Sequence, residues 1–599
     1  MSMIPVFPFS NTLCRVYALL VASLITAYST PVFADRPNIV LILADDLGFT
    51  DIAPYGGEVS TPNLTALAEA GIKFTNYHTA ASCAPSRAML LTGVDSHRNG
   101  VPNIPEAIPP EQGTHAHYAG TLNRNVVTVA TLLQDQGYHT YLAGKWHLGK
   151  DADQLPSRRG FERTVALADT GADNWEQKPY LPIYEKANWF ADGEVTTLPD
   201  DFYSSRFLID KTIEFIDSNA NSGSPFFAYV PFQAVHSPVQ APQEFIEKYV
   251  GVYDDGWHAL REQRLQKAIA LGIIPDETSM VSMSSTEDWA SLSAEEKKYQ
   301  SKRMAVYAAM IEAMDYHLGR LILHLRESGK YENTIFIFTS DNGSEASGAR
   351  ANAGRAAKLF QSLQGYSTDY ETLGLKGSFN TIGPSFASAA ASPLAYYKFY
   401  SGEGGMRVPL IIAGESISPE NSKTNAFSFV TDLAPTILEL CQIEQPGERY
   451  GGRRVEPIIG RSLVSILENK AEQIYSASDT VGYELAGNAA LFQGDYKLVL
   501  NRGPLGDDNW HLFNIVVDPG ETSDLAESMP DKLQIMISAY EHYARVNQVL
   551  PVPEGYQQLS QVAKNGLRDR FGTQILVLLA TVSALVLILL FARNYHRKN

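Results

Sequence analysis

Disulfide chemistry is all but closed to this chain. Its 599 residues hold three cysteines, Cys14, Cys83 and Cys441, and Cys14 lies in an N-terminal apolar segment expected to be removed. Two remaining thiols make no disulfide framework, so a large hydrophobic core must hold the fold. Positive charge is also in deficit. Lysine and arginine total 48 against 66 aspartates and glutamates, a formal net charge of −18. That balance argues against nucleic acid as a partner. It also argues against long-range steering of an anionic substrate, so any anion site must be a local basic pocket in an acidic body. No short repeat recurs, which disfavours a solenoid or propeller. Long uncharged apolar runs are confined to the two ends.

At the N-terminus, Arg15 precedes an apolar run from Val16 to Ala27, and Val32-Phe33-Ala34 places small residues before Asp35. Residues 1–34 therefore read as a secretory signal peptide. Thr26, Tyr28, Ser29, Thr30 and Pro31 break the run too early for a spanning helix. At the other end, residues 571–592 carry no charged side chain. As a helix these residues would extend about 33 Å, the thickness of a bilayer's hydrocarbon core. The expectation is a transmembrane helix at 571–592, a stalk at 551–570 and a short cytoplasmic tail at 593–599. Basic residues flank both sides of the run, so orientation rests on the signal peptide, which puts the main body of the chain outside the cytoplasm. An exported body of this size without disulfides suggests the bacterial periplasm.

Nearly continuous apolar runs at Ile39–Ala44, Phe226–Val230, Thr334–Phe338 and Val408–Ile412 predict buried strands. Helix-compatible stretches lie between them at Thr61–Ala70, Val126–Gln136, Ser205–Asp217 and Lys302–Glu327. This alternation predicts an α/β fold, a mostly parallel central sheet covered on both faces. Such sheets bind ligands beyond the C-terminal ends of their strands. Polar clusters stand there: Asp45-Asp46 after the first run, Gln233 and His236 after the second, Thr339 to Asn342 after the third. Residues 351–395 read as loops over the site. After a Pro/Gly/Arg-rich stretch near 445–454, two predicted strands (Ala490–Leu500, Trp510–Val516) and a helix (Met529–Arg545) form a small α+β subdomain. The expected division is a catalytic domain at 35–445 and a subdomain at 446–550.

Asp45, Asp46, Asp341 and Asn342 offer hard oxygen ligands from two strand ends, a set that suits calcium or magnesium better than a soft-ligand metal. Arg87, Lys145, His147 and His236 are the basic counterpart, able to stabilise negative charge in a dry pocket. The sharpest local signal is Cys83-Ala84-Pro85-Ser86-Arg87, continuing to Leu91-Thr92-Gly93. It resembles the signature of type I sulfatases, of the alkaline-phosphatase-like superfamily. Other motifs of that family follow in order: Asp45-Asp46-Leu47-Gly48, Gly144 to Gly149, His236-Ser237-Pro238, Ser340 to Gly343, Glu403 to Pro409, Trp510 to Asn514 and Asp518 to Thr522. The stretch Val252–Pro275 is most similar to bacterial arylsulfatases.

The resemblance implies an alkaline-phosphatase-like α/β/α sandwich and sulfate-ester hydrolysis. It implies that a formylglycine-generating enzyme oxidises Cys83 to formylglycine (3-oxoalanine), and that one calcium ion rather than magnesium is held by Asp45, Asp46, residue 83, Asp341 and Asn342. Lys398 enters through the family's spacing, five residues before Glu403, with Lys376 a neighbour expected at the surface. The implied roles place Asp341 as acceptor of the nucleophile's proton and His236 and Lys398 at the leaving oxygen. His147 takes the proton that lets sulfate depart, while Arg87 and Lys145 orient the reacting groups. Asn342-Gly343-Ser344 is also a glycosylation sequon, and a glycan there would abolish such a site, a second hint of a bacterial envelope. Two rival readings share these motifs: a phosphonate or phosphodiester hydrolase of the same superfamily, and a non-catalytic sulfoglycan-binding protein with Cys83 unmodified.

Overall fold

The computed structural model describes residues 36–598 apart from 182, 347–360, 416 and 418–421, and it leaves the side chains of 571, 573–580, 591 and 593–598 undescribed. The expected signal peptide and part of the loop at 351–395 lie outside the described residues. Asn38–Ala44 is the hub of a ten-stranded sheet. It pairs in parallel with Thr334–Ser340 on one side and Phe226–Pro231 on the other. His139–Lys145 and Arg163–Leu167 extend the parallel run beyond Phe226–Pro231. Every residue of Asn38–Ala44 is buried, and alternate residues serve opposite faces. Val40, Ile42 and Ala44 pack in one hydrophobic core, Ile39, Leu41 and Leu43 in the other. A period of two on a strand wetted by neither face produces this continuous apolar run.

One strand departs from the expected direction. Leu410–Ala413 runs antiparallel between Gly71–Phe74 and Thr334–Ser340. A short apolar run reports burial, and burial is the same in either direction. The long helix Ala294–Glu327 starts before the expected Lys302 because Ser293 and Glu296 form a reciprocal cap. Ser293 Oγ accepts from the Glu296 amide at 3.2 Å, and a Glu296 carboxylate oxygen accepts from the Ser293 amide at 2.9 Å. The expected strand Ala490–Leu500 is a hairpin of Asn488–Gln493 and Tyr496–Leu500, turned at Gly494-Asp495. With Thr480–Leu485 and Trp510–Asn514 it makes a four-stranded antiparallel sheet, against which helix Pro530–Asn547 packs.

This smaller sheet shares the core of the larger one. Tyr483, Leu485, Ala490 and Phe492 belong to the same buried cluster as Leu41 and Ile337. A buried charge network crosses the same boundary. Lys497 Nζ lies 2.9 Å from both Glu403 Oε1 and Glu521 Oε1, and Glu403 also faces His78 at 3.0 Å and Arg407 at 3.3 Å. Burial and Glu403 push the Glu521 carboxyl up, to about 7, against the pull of Lys497. Burial opposes charge on Glu403 as well, but His78, Lys497 and Arg407 together hold its carboxyl down.

Residues 551–570 were expected to form a stalk. The chain instead enters a continuous helix at Gln558 that runs to Lys598, with Gln561 and Asn565 buried against the body. Among the described residues no helix is long and apolar enough to cross a membrane. The expected span at 571–592 falls within Gln558–Lys598 and includes positions whose side chains are undescribed.

Lys497→Met should lower the unfolding free energy by about 3–5 kcal/mol, because it leaves two buried carboxylates sharing no cation. Equilibrium urea denaturation measures the loss, and an unchanged midpoint would show that the network does not hold the two sheets together.

Candidate active site

The C-terminal ends of the parallel strands supply most of the site. Asp45 and Asp46 follow Asn38–Ala44, Asp341 and Asn342 follow Thr334–Ser340, Lys145 ends His139–Lys145, and His236 follows Phe226–Pro231. Helix Cys83–Thr92 begins at Cys83, so its first turn and Arg87 face these strand ends. Two site residues adopt the left-handed backbone region that non-glycine residues avoid, Asp46 at φ 63° and His147 at φ 55°.

Unlike charges alternate through the site at contact distance, all of them buried. Lys145 Nζ donates to Asp45 Oδ2 at 2.7 Å. Arg87 donates to Asp341 Oδ2 from Nε at 2.9 Å and from Nη2 at 2.6 Å, and its Nη1 reaches the Lys145 carbonyl at 2.9 Å. Lys398 Nζ lies 2.8 Å from Asp46 Oδ1 and 2.9 Å from Oδ2. His236 Nε2 stands 3.5 Å from Asp46 Oδ2, while its Nδ1 donates to the Ser237 carbonyl at 2.7 Å. Cys83 Sγ is 3.9 Å from Asp46 Oδ1. Burial alone would raise both Asp45 and Asp46, but Lys145 beside the first and Lys398 beside the second bring both carboxyls below their ordinary value. Burial lowers the His236 imidazole and pushes the Cys83 thiol up.

The loop bearing Lys398 is clamped from below. At Gly404 a Cβ would stand 2.3 Å from the Tyr396 carbonyl oxygen, and at Gly405 2.2 Å from that of Tyr400. Only glycine permits so close an approach. The buried Glu403 network thus seats the segment on which Lys398 is presented. Lys376 lies apart, half exposed beside Glu176 at 3.6 Å.

Ligand atoms of Asp45, Asp46, Cys83 and His236 all lie within 4.8 Å of one another. Asp45 Oδ1 and Asn342 Oδ1 are buried without a hydrogen-bond partner, and Asn342 Nδ2 donates to Asp46 Oδ1 at 2.7 Å. Orphaned oxygens among clustered carboxylates fit a hard divalent cation, which would satisfy them and relieve their mutual repulsion.

The structure thus gathers Cys83, Arg87, Lys145, His236, Lys398, Asp45, Asp46, Asp341 and Asn342 into one set of contacts. His147 follows Lys145 by two residues, and its Nε2 lies 3.3 Å from Glu106 Oε2. Glu106 was not anticipated, and neither was Glu345, 3.1 Å from Lys398 Nζ. Tyr180, with its ring edge-on to His236 at 6.0 Å between centroids, is a third addition. Glu345 could have been suspected from its place three residues after Asn342. Glu106 and Tyr180 sit in irregular segments that carry no comparable signal.

The Sulfatase family profile matches residues 37–443. An uncharacterized sulfatase of Schizosaccharomyces pombe is 35% identical over 88% of this chain and 97% of its own length. An arylsulfatase of Klebsiella aerogenes is 36% identical over 72% of this chain and 92% of its own. Among solved structures, Ps i-CgsB in complex with k-i-k-neocarrahexaose aligns with a TM-score of 0.60 at 23% identity, covering 90% of this chain and 98% of that one. PsFucS1 sulfatase from Pseudoalteromonas sp. aligns at 0.57 and 20% identity, over 91% and 96%. The two structural likenesses show the fold. The chain belongs to the sulfatase family. It is a sulfuric ester hydrolase, with an α/β fold built on a large, mostly parallel sheet.

If the carboxylate cluster holds a cation, adding calcium to metal-stripped protein should raise its melting temperature. A ligand at about 100 times its Kd stabilises the native state by about 2.7 kcal/mol. Asp46→Ala should abolish that rise. Equal shifts in the wild type and the variant would place any stabilising ion elsewhere.

Proposed function

We propose that this chain hydrolyses arylsulfatase-type sulfate esters, using a formylglycine formed from Cys83 and one calcium ion. The observation that carries this reading is the position of Cys83, which opens its helix 3.9 Å from Asp46 in the buried cluster that holds Arg87, Lys145 and Lys398. The 36% identity to a protein named an arylsulfatase supports the substrate type. Asp45, Asp46, Asp341 and Asn342, together with residue 83, would hold the ion. The formylglycine and the ion together would supply an activated oxygen nucleophile.

The chain's own residues set the rest. Arg87 and Lys145 are anchored by carboxylates and by backbone, so their charge meets the sulfate group without reorganisation. Asp341 would accept the nucleophile's proton. Lys398 and His236 flank Asp46 and would stabilise or protonate the leaving oxygen. Nδ1 of His236 donates to the Ser237 carbonyl, which leaves its Nε2 facing Asp46. His147 would accept the proton released as sulfate departs. A formylglycine-generating enzyme acting on Cys83 is a required partner during maturation.

The proposal extends to placement. Residues 1–34 would direct export and leave the catalytic domain, residues 35–445, and its smaller partner, 446–550, outside the cytoplasm, in a bacterial periplasm. Residues 571–592 would anchor the chain in the membrane. The contiguous exposure of Val582 and of Leu585 to Leu590 along Gln558–Lys598 supports this placement, since water is a poor solvent for such a surface.

Cys83→Ala should keep the wild-type melting temperature and lose turnover of an aryl sulfate by roughly 10⁴-fold or more, the scale on which removal of a nucleophile acts. Substantial turnover by that variant would sink the formylglycine assignment, as would an unmodified mass for the peptide spanning residue 83. Faster cleavage of an aryl phosphonate than of the aryl sulfate would reassign the substrate. For the anchor, removal of residues 571–599 should move the protein from the membrane to the soluble fraction with its turnover intact. Full-length protein found soluble would end that part of the proposal.

A further inference from the structure

His147 is buried, yet only one of its ring nitrogens has a partner. Nε2 faces Glu106 Oε2 at 3.3 Å, and Nδ1 has no hydrogen-bond partner among the described residues. An ionised carboxylate only accepts, so the hydrogen on that side belongs to Nε2 and the neutral ring keeps its lone pair on Nδ1. Burial works against charge on Glu106, but His147 beside it and the Tyr184 hydroxyl hold its carboxyl down to about 2. Tyr184 donates that hydroxyl to the other Glu106 oxygen, Oε1.

The two segments that carry these residues are fixed by one stretch of chain far away in sequence. Asn565 Nδ2 donates to the carbonyls of Glu106 and Ile108, both at 2.8 Å, and the Tyr556 hydroxyl donates to that of Ala107 at 3.0 Å. Gln561 Nε2 donates to Asn565 Oδ1 at 3.0 Å and sets the amide's orientation. A few residues on, Gly566 lies so close to Ile183 that a Cβ would meet its Cγ2 at 1.9 Å, and Arg570 reaches the Tyr184 carbonyl at 3.4 Å. The base of the C-terminal helix therefore braces both Glu106 and Tyr184.

We propose that Glu106, seated by Tyr184 and by residues 556–570, is the positioning residue of His147, holding Nε2–H on itself and leaving Nδ1 as the proton-accepting atom. The proposal rests on the reading of His147 as acceptor of the proton released with sulfate. When Nδ1 takes that proton, the ring becomes a cation whose Nε2–H already points at a fixed carboxylate, so no group need move. Glu106 does not touch the reacting atoms and acts only through His147.

Two readouts test it in the full chain. In active protein, Glu106→Gln should lower kcat for an aryl sulfate by about 10²-fold, the range of a general acid–base contribution, with KM nearly unchanged, and Glu106→Asp should restore part of the loss. In the inactive Cys83→Ala background, protein carrying ¹⁵N-labelled histidine should show His147 as a single Nε2–H tautomer, assigned by difference from His147→Gln. Glu106→Gln should shift that tautomer's ¹⁵N signals. Unchanged His147 signals, or an undiminished kcat in Glu106→Gln while His147→Gln is crippled, would overturn the positioning role alone. Full turnover by His147→Gln would remove the proton-acceptor reading, and this proposal with it. If Glu106→Gln does not fold, Glu106→Asp supplies both measurements.

Discussion

The site exists because opposite charges are buried together at the ends of the central strands. Asp45, Asp46 and Asp341 could not share that interior without Lys145, Lys398 and Arg87, and those cations could not stay there without the carboxylates. Removing an ion from water costs several kcal/mol even after relaxation. The alternating arrangement offsets that cost locally, contact by contact. It also leaves every group with its charge already oriented, the condition under which electrostatics acts on a transition state.

Rigidity is supplied from both sides of this cluster. The hydrophobic cores on the two faces of Asn38–Ala44 fix the strand ends that bear Asp45 and Asp46. A second charge network, around Glu403 and Lys497, fixes the loop that carries Lys398. The two networks are linked by covalent chain over five residues, from Lys398 to Glu403. The smaller sheet therefore supports the site even though it contributes no group to it.

Much of this was legible in the sequence because parallel strands buried on both faces write themselves as unbroken apolar runs. The polar residue that follows such a run stands at the ligand-binding edge of the sheet, which made Asp45, Asp46, Asp341, Asn342 and His236 readable as a set. Strand direction was not legible, since Leu410–Ala413 would show the same composition pointing either way. The hairpin within 488–500 was hidden because Gly494-Asp495 interrupts the apolar pattern for only two residues. The earlier start of the long helix did have a signal, the Ser293–Glu296 cap, which a search by hydrophobic periodicity passes over. Glu106 had none. Its importance comes from where Asn565 and Tyr184 place it, and those residues are distant in sequence.

The continuity of Gln558–Lys598 has a mechanical consequence. A flexible tether would let a catalytic body wander and tumble above a membrane. Here the helix that packs against the 105–108 turn at Asn565 runs without a break into the apolar segment that begins near 571. At 1.5 Å per residue, that leaves about 9 Å of rise between the two. If residues 571–592 anchor the chain as proposed, so short a neck would fix the height and orientation of the catalytic body above the bilayer. Sulfate esters would then be sampled from a thin layer at the lipid surface, and a substrate's reach into that layer would count in its selection alongside its fit to the pocket.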